Sequence, residues 1–212
     1  MNEQEDKPVR GLPERLPDGE KILWQGAPRW GALARWGFHV RKIALYFALL
    51  LTWQVASNIN DGVPADDVVA AAFWLVLVAA TAIGLFSAFA WAIARSTTYT
   101  ITNRRVVLRV GVAFPGSINL PFRRIKAAGL RRRRDGTGDI PLTLMADDSV
   151  PWVLLWPHVR PWRLRRAEPM LRSIPDADKV AALLARALSD DMATRTPVSD
   201  PDSPASPAAS AA

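Results

Sequence analysis

The sequence predicts an α+β membrane protein, in which a two-helix transmembrane hairpin is followed by an antiparallel β barrel closed by a C-terminal helix. Three observations carry that expectation. Two long stretches contain no charged residue, the hydrophobic period changes from 3.6 to 2 directly after the second, and one amphipathic segment precedes a low-complexity tail. At 212 residues the chain has room for a membrane anchor and one small domain.

The uncharged stretches are residues 43–59 (IALYFALLLTWQVASNI) and 68–94 (VVAAAFWLVLVAATAIGLFSAFAWAIA). A bilayer core of about 30 Å needs roughly 20 apolar residues per helix. The first stretch is the shorter, but Arg41 and Lys42 can snorkel and let His39 and Val40 lie at headgroup level. A hairpin buried in a soluble core would need more surrounding protein than the rest of the chain supplies. The first apolar stretch also starts too far along the chain for a cleaved signal peptide. Eight basic residues precede it, four of them between Arg29 and Lys42, whereas the loop 60–67 holds Asp61, Asp66 and Asp67 and no base. Arg95, Arg104 and Arg105 follow the second stretch. The positive-inside rule then places both termini in the cytoplasm and the acidic loop outside, with Trp36, Tyr46, Trp91 and Tyr99 as an interfacial belt. The absence of Cys fits a cytosolic domain without disulfides.

The elements follow in order. Residues 1–11 are polar and expected to be disordered, and 12–42 form a cytoplasmic or interfacial lead-in. Within the lead-in, Pro17-Asp18-Gly19 is a turn and Lys21 to Trp24 a short extended run. Trp30, Leu33, Ala34, Gly37 and Phe38 fall at helical spacing among arginines, which suits either a helix on the membrane surface or an irregular approach to the first span. After the hairpin (43–94), residues 95–190 form the cytoplasmic domain. Tyr99 and Ile101 alternate with Thr98, Thr100 and Thr102; "TNRR" turns; Val106, Leu108 and Val110 continue the alternation. Further strands are expected at 117–122, 124–132, 139–146 and 151–155, with "RRDGTGD" and "ADDSVP" as turns. Residues 156–175, rich in Pro, Trp and Arg, carry no assignment. "IPDADKVAALLARAL" is a helix capped by Asp176 or Asp178. The tail 191–212 is Pro/Ser/Ala-rich and cannot bury a core. Short antiparallel strands closed by one C-terminal helix are the element order of a pleckstrin-homology-like barrel.

Enzyme chemistry finds no support in the motifs. His39 and His158 are far apart, and no HExxH, GxSxG, GxGxxG or P-loop spacing occurs. Asp147-Asp148 suits a polar turn better than a metal or acid-base site. His39 is better explained as an interfacial aromatic beside Phe38 than as a chlorin magnesium ligand. The charge signal is stronger. Of the 27 Lys and Arg, eight precede the spans, leaving nineteen from Arg95 onward against eleven acids. The run Arg131, Arg132, Arg133 and Arg134 is its densest part, and at the cytoplasmic face it would attract anionic lipid headgroups or simply hold the domain inside. Nucleic acid would use the same residues, but the tether and the lack of a reading motif argue against it. Trp156 and Trp162 with Arg163, Arg165 and Arg166 have the composition of a binding hot spot, for a partner or for the bilayer surface. Trp152 is expected to pack in the barrel.

"LPDGEKILWQGAP" before the first span, then "YTITNRRVVLRVG", "INLPFRRI" and a helix after "IPDADKV" resemble the bacterial membrane-anchored pleckstrin-homology proteins. With "LPERLPDGEKILWQGAP" and "RWGALARWGFHVRK" together, the chain resembles more narrowly the PuhB family of photosynthetic-complex assembly proteins in purple phototrophic bacteria, over roughly residues 12–190. The resemblance implies a non-enzymatic factor of the bacterial inner or intracytoplasmic membrane, without cofactor, that assists assembly of the photosynthetic reaction centre by binding its subunits. A small-residue face on the second span (Ala79, Ala80, Ala82, Gly84, Ser87, Ala88) suits packing against a partner helix or against the first span; partners expected besides the reaction-centre subunits are anionic lipid headgroups and a second copy in a homo-oligomer.

Overall fold

In a computed structural model, residues 16–111, 116–145, 156, 158, 159 and 167–195 are described. The lead-in begins with strand β1 (Ile22–Gly26), followed by one turn of helix, α1 (Trp30–Ala32), that widens into a π turn at Leu33–Gly37. His39 then takes the left-handed conformation, φ 56 and ψ 33, and its carbonyl accepts the amide of Lys42 at 2.7 Å. A non-glycine residue rarely sits there. The bend it makes separates the π turn from helix α2 (Val40–Asn60). Helix α3 (Ala65–Ser96) runs back, and both are long and apolar enough to cross a membrane. Each is longer than its uncharged stretch, because Val40 to Lys42 and Ala65 to Asp67 already lie in helical turns. Asp66 and Asp67 sit in the first turn of α3, where carboxylates favour the helix dipole.

Five residues of period-2 sequence then form β2 (Thr98–Thr102), antiparallel to β3 (Arg105–Val110), which pairs with β4 (Gly116–Pro121). The other edge of β2 is taken by β1, so the first sheet has the order β1-β2-β3-β4. The long hairpin is therefore an insertion between two hydrogen-bonded neighbours, and the domain extends beyond 95–190 into the lead-in. Glu20 fastens this arrangement. Its carboxylate, only 2% exposed, accepts Nε and Nη2 of Arg105 at 2.7 and 2.8 Å.

A 3₁₀ turn at Phe122–Arg124 leads to the second sheet of β5 (Ile125–Ala128), β6 (Arg131–Arg132), β7 (Gly138–Leu144) and β8 (Met170–Ile174). β5 and β6 both pair with one side of β7, and β8 with the other. The single strand expected over 124–132 is thus broken at Gly129 and Leu130. Opposite the break lies Pro141, whose carbonyl accepts Gly129 N–H at 2.9 Å but which has no amide to return. Strand β8 falls inside 156–175, where no element was expected, and the strand expected at 151–155 lies outside the described residues. Helix α4 (Ala177–Arg195) closes the barrel with Ala177, Val180, Leu184 and Ala187 buried. Gly138 makes room for it, since a Cβ there would stand 2.6 Å from that of Ala177. The core joins Tyr99, Ile101, Leu108, Leu120, Ile140, Leu142, Leu171 and Ile174 to that helix face. A second, smaller cluster packs Leu33 and Ala34 of the π turn on Ala90 and Ile93 of α3.

Candidate site at the junction of hairpin and barrel

The basic run lies on β6 and the turn into β7, next to the π turn. Asp135 organises that turn. Its Oδ1 accepts the backbone amide of Thr137 at 3.1 Å and the Thr137 hydroxyl at 2.6 Å, and Gly136 supplies the positive φ of 75. Its Oδ2 accepts the indole N–H of Trp36 at 3.4 Å and lies 3.7 Å from Arg35. The Thr137 hydroxyl hydrogen bond, with lesser help from the Thr137 amide, Trp36 and Arg35, holds the Asp135 carboxyl below the usual carboxylate range. The lead-in is thereby docked on the β6–β7 turn.

The four arginines do not behave alike. Arg131, Arg132 and Arg134 are exposed, and Arg132 pairs with Asp178 at the surface. Arg133, read with the others as a headgroup-attracting or topological charge, is turned inward. Its side chain is 9% exposed, pairs with the buried Asp139 and lies under the Trp36 ring, 5.2 Å from its centroid. Asp139 Oδ1 in turn accepts the amide of Ser173 at 2.9 Å. Asp139 directs Arg133 inward because a buried carboxylate needs a charged partner and full hydrogen bonding. Two acids follow the run, Asp135 and Asp139, and nothing in the sequence tells which of them takes Arg133.

On the flank of α3, Trp156 is 46% exposed and stacks at 5.9 Å on Phe89, which meets Phe38 edge-on at 5.5 Å. Trp156 is therefore held against the end of α3 nearest the barrel. Trp162, Arg163, Arg165 and Arg166 lie outside the described residues, as does Trp152.

Beneath this surface sits a network that the sequence did not disclose. Tyr99 Oη accepts the backbone amide of Arg172 at 3.2 Å and donates to His158 Nδ1 at 2.6 Å, which leaves Nε2–H to donate to Thr97 Oγ1 at 3.1 Å. His158 is 1% exposed, and burial, with Arg172 nearby, pushes its pKa down to about 3. Burial raises the Tyr99 phenol well above its ordinary value. With both nitrogens engaged and the ring buried, the imidazole is a structural link between the end of α3, β2 and β8. Among the described residues no three His, Asp or Glu side chains gather as a metal site would require.

The family description "Bacterial PH domain" matches residues 44–188. A curated protein of Rhodobacter capsulatus, described as an uncharacterized 23.7 kDa protein in the puhA 5′ region, is 37% identical over 182 residues, which is 85% of either chain. No solved structure matches.

Proposed function

The chain belongs to the bacterial PH domain family, and from that premise we propose that it is a non-enzymatic, membrane-anchored assembly factor for the bacterial photosynthetic reaction centre. It acts by binding membrane-protein subunits of the complex while their final packing partners are absent. The observation that carries this reading is the 37% identity, along 85% of both chains, to a protein described by its place in the puhA 5′ region. The hairpin supports it physically. None of the α2 residues is buried, and Leu45, Trp53, Phe73 and Trp74 are each more than half exposed. So much contiguous apolar surface marks contact with lipid or with other apolar helices. The docked β6–β7 turn ties that surface to the barrel, giving a stiff platform with protein-binding loops at the membrane.

Affinity capture of the tagged chain from gently solubilised membranes should enrich reaction-centre subunits over unrelated membrane proteins of equal abundance. Deleting the gene should lower assembled reaction centre under phototrophic conditions and leave respiratory growth intact. Normal reaction-centre levels in the deletion strain would overturn the assembly reading. They would favour a second one, a general anionic-lipid or envelope module, which the exposed Arg131, Arg132 and Arg134 support.

A further inference from the structure

We propose that the barrel is seated in the bilayer rather than hung beneath it: Trp156, with Trp30 and Trp91, anchors the side of the barrel beside α3 in the headgroup layer of the nearer leaflet. The level of these rings follows from the hairpin. The crevice between its helices is lined by Ala44 and Ala48 of α2 with Ile83 and Ala79 of α3, which puts Ala44 level with Ile83 and Arg41 and Lys42 level with the next turn of α3, at Phe86. The Phe38 ring, just before α2, accordingly lies 6.4 Å from Phe86 and 5.5 Å from Phe89. Arg41 and Lys42 are the charges that bound the first uncharged stretch, so they mark the edge of the hydrocarbon. Phe89 lies about one helical turn, roughly 5 Å, beyond that edge. A headgroup layer is roughly 5 to 8 Å deep on each side of the core. Phe89 therefore falls inside it, and Trp156, stacked on Phe89, falls there too.

The other side chains at that level suit the same surroundings. Trp91 is half exposed and carries the Arg95 guanidinium over its ring at 5.3 Å, an apolar plate with a cation on its water side. Trp30 is half exposed on α1, and the π turn that continues α1 packs Leu33 and Ala34 on Ala90 and Ile93 of the same stretch of α3. Rings of this kind bury an apolar body at the lipid boundary and keep an N–H for headgroup oxygens. Among the described residues no protein acceptor takes the indole N–H of Trp30, Trp91 or Trp156, whereas Trp36, turned toward the barrel, gives its own to Asp135. Lipid is the occupant these rings fit because they continue the exposed apolar surface of the hairpin. Only Thr97 separates the end of α3 from the start of β2, which leaves no gap between bilayer and barrel. This seating requires α2 and α3 to span the membrane, as the proposed function also does, and holds whether or not the chain serves assembly.

The test uses the full chain labelled throughout with fluorotryptophan, in vesicles of equal parts phosphatidylcholine and phosphatidylglycerol. Fluorine spectra are recorded with a nitroxide on the lipid headgroup, with a nitroxide deep on the acyl chain, and with a gadolinium chelate confined to water. Replacing Trp156, Trp30, Trp91, Trp74 and Trp24 by Phe, one at a time, assigns each resonance; should Trp156→Phe fail to fold, Trp30→Phe and Trp91→Phe carry the test. The resonances of Trp156, Trp30 and Trp91 should be lost with the headgroup nitroxide. Trp74, exposed within α3, should be lost with the acyl-chain nitroxide, and Trp24, packed against the barrel core, should keep its signal with both lipids. Signals from Trp156, Trp30 and Trp91 that persist with the headgroup nitroxide, while Trp74 answers the acyl-chain one, would overturn the seating. Loss to the chelate would then place the rings in water, and protection from all three agents would place them against a second copy of the chain. A Trp74 signal indifferent to the acyl-chain nitroxide would remove the spans themselves, and the seating with them.

Discussion

The imidazole of His158 is enclosed by Tyr99 and Thr97 in its neutral form, and that fixes how the protein answers acid. Its folded pKa is pushed down to about 3, whereas the unfolded chain takes up the proton near the ordinary value of 6.5. The unfolded state therefore binds more protons between those values. The stabilising contribution is fully present above pH 6.5 and is lost as pH falls toward 3, at up to about 1.4 kcal/mol per pH unit. Denaturant melts of the detergent-solubilised protein should be level from pH 8 to 6.5 and decline from there to pH 4.5, above the range of ordinary carboxylates. His158→Gln, which can still donate and accept, should be less stable throughout but level across that window; an undiminished decline in this variant would assign the acid sensitivity elsewhere. Arg133 supplies the contrasting case. Removing it leaves Asp139 buried and unpaired, so Arg133→Ala should cost about 3 to 5 kcal/mol. Exposed Arg131 and Arg134 should each cost no more than about 0.5 kcal/mol when replaced by Gln. Equal melting points for Arg133→Ala and Arg134→Gln would show that the pair is not what closes this end of the barrel.

At the scale of elements, the parts legible in sequence were those whose pattern lies within one segment. The alternation of Tyr99 and Ile101 with threonines, and of Val106, Leu108 and Val110, gave β2 and β3, while the i, i+4 spacing of Val180 and Leu184 gave α4. What was hidden depends on a neighbour. The break between β5 and β6 comes from Pro141 on the opposite strand, Arg133 turns inward because Asp139 waits there, and His158 is buried by Tyr99 from a strand about sixty residues away in sequence. Strand β8 was missed because Met170, Leu171 and Ile174 do not alternate. The extended run at Lys21 to Trp24 was legible, but its membership of the sheet was not, since a pairing across more than seventy residues leaves no local mark. That pairing has a measurable consequence. A fragment of residues 95–195 lacks β1, opens the edge of β2 and strips Arg105 of its buried Glu20 partner. It should therefore be poorly soluble or molten, and fusing residues 16–28 to its start through a flexible linker should restore a cooperative melt. A fragment that melts cooperatively without that strand would show that β1 is dispensable to the barrel.

For the whole molecule, the sheet constrains the membrane topology independently of charge. β1 lies before α2 and β2 follows α3, yet Gln25 pairs with Thr100 and Gly26 with Tyr99 in one continuous ladder. Two strands hydrogen-bonded to each other must occupy the same compartment, so a chain that crosses a bilayer along α2 has to return along α3. A single crossing would pull β1 from its sheet and separate Glu20 from Arg105. The distribution of charge selects which compartment that is: basic residues flank both helix ends at the barrel, and Asp61, Asp66 and Asp67 mark the far turn. Reporter fusions at the N-terminus and after Arg195 should therefore both give cytoplasmic signals, and a reporter inserted at Gly62 an external one. A cysteine placed at Gly62 should react with an impermeant maleimide in intact cells, whereas one placed at the exposed Arg134 should react only after the membrane is opened. Neutralising Asp61, Asp66 and Asp67 together should not invert the hairpin, because acidic residues contribute little to orientation and the arginines remain. Opposite compartments for the two termini would contradict the β1–β2 ladder itself, and external labelling at Arg134 with cytoplasmic labelling at Gly62 would preserve the ladder and reverse the orientation.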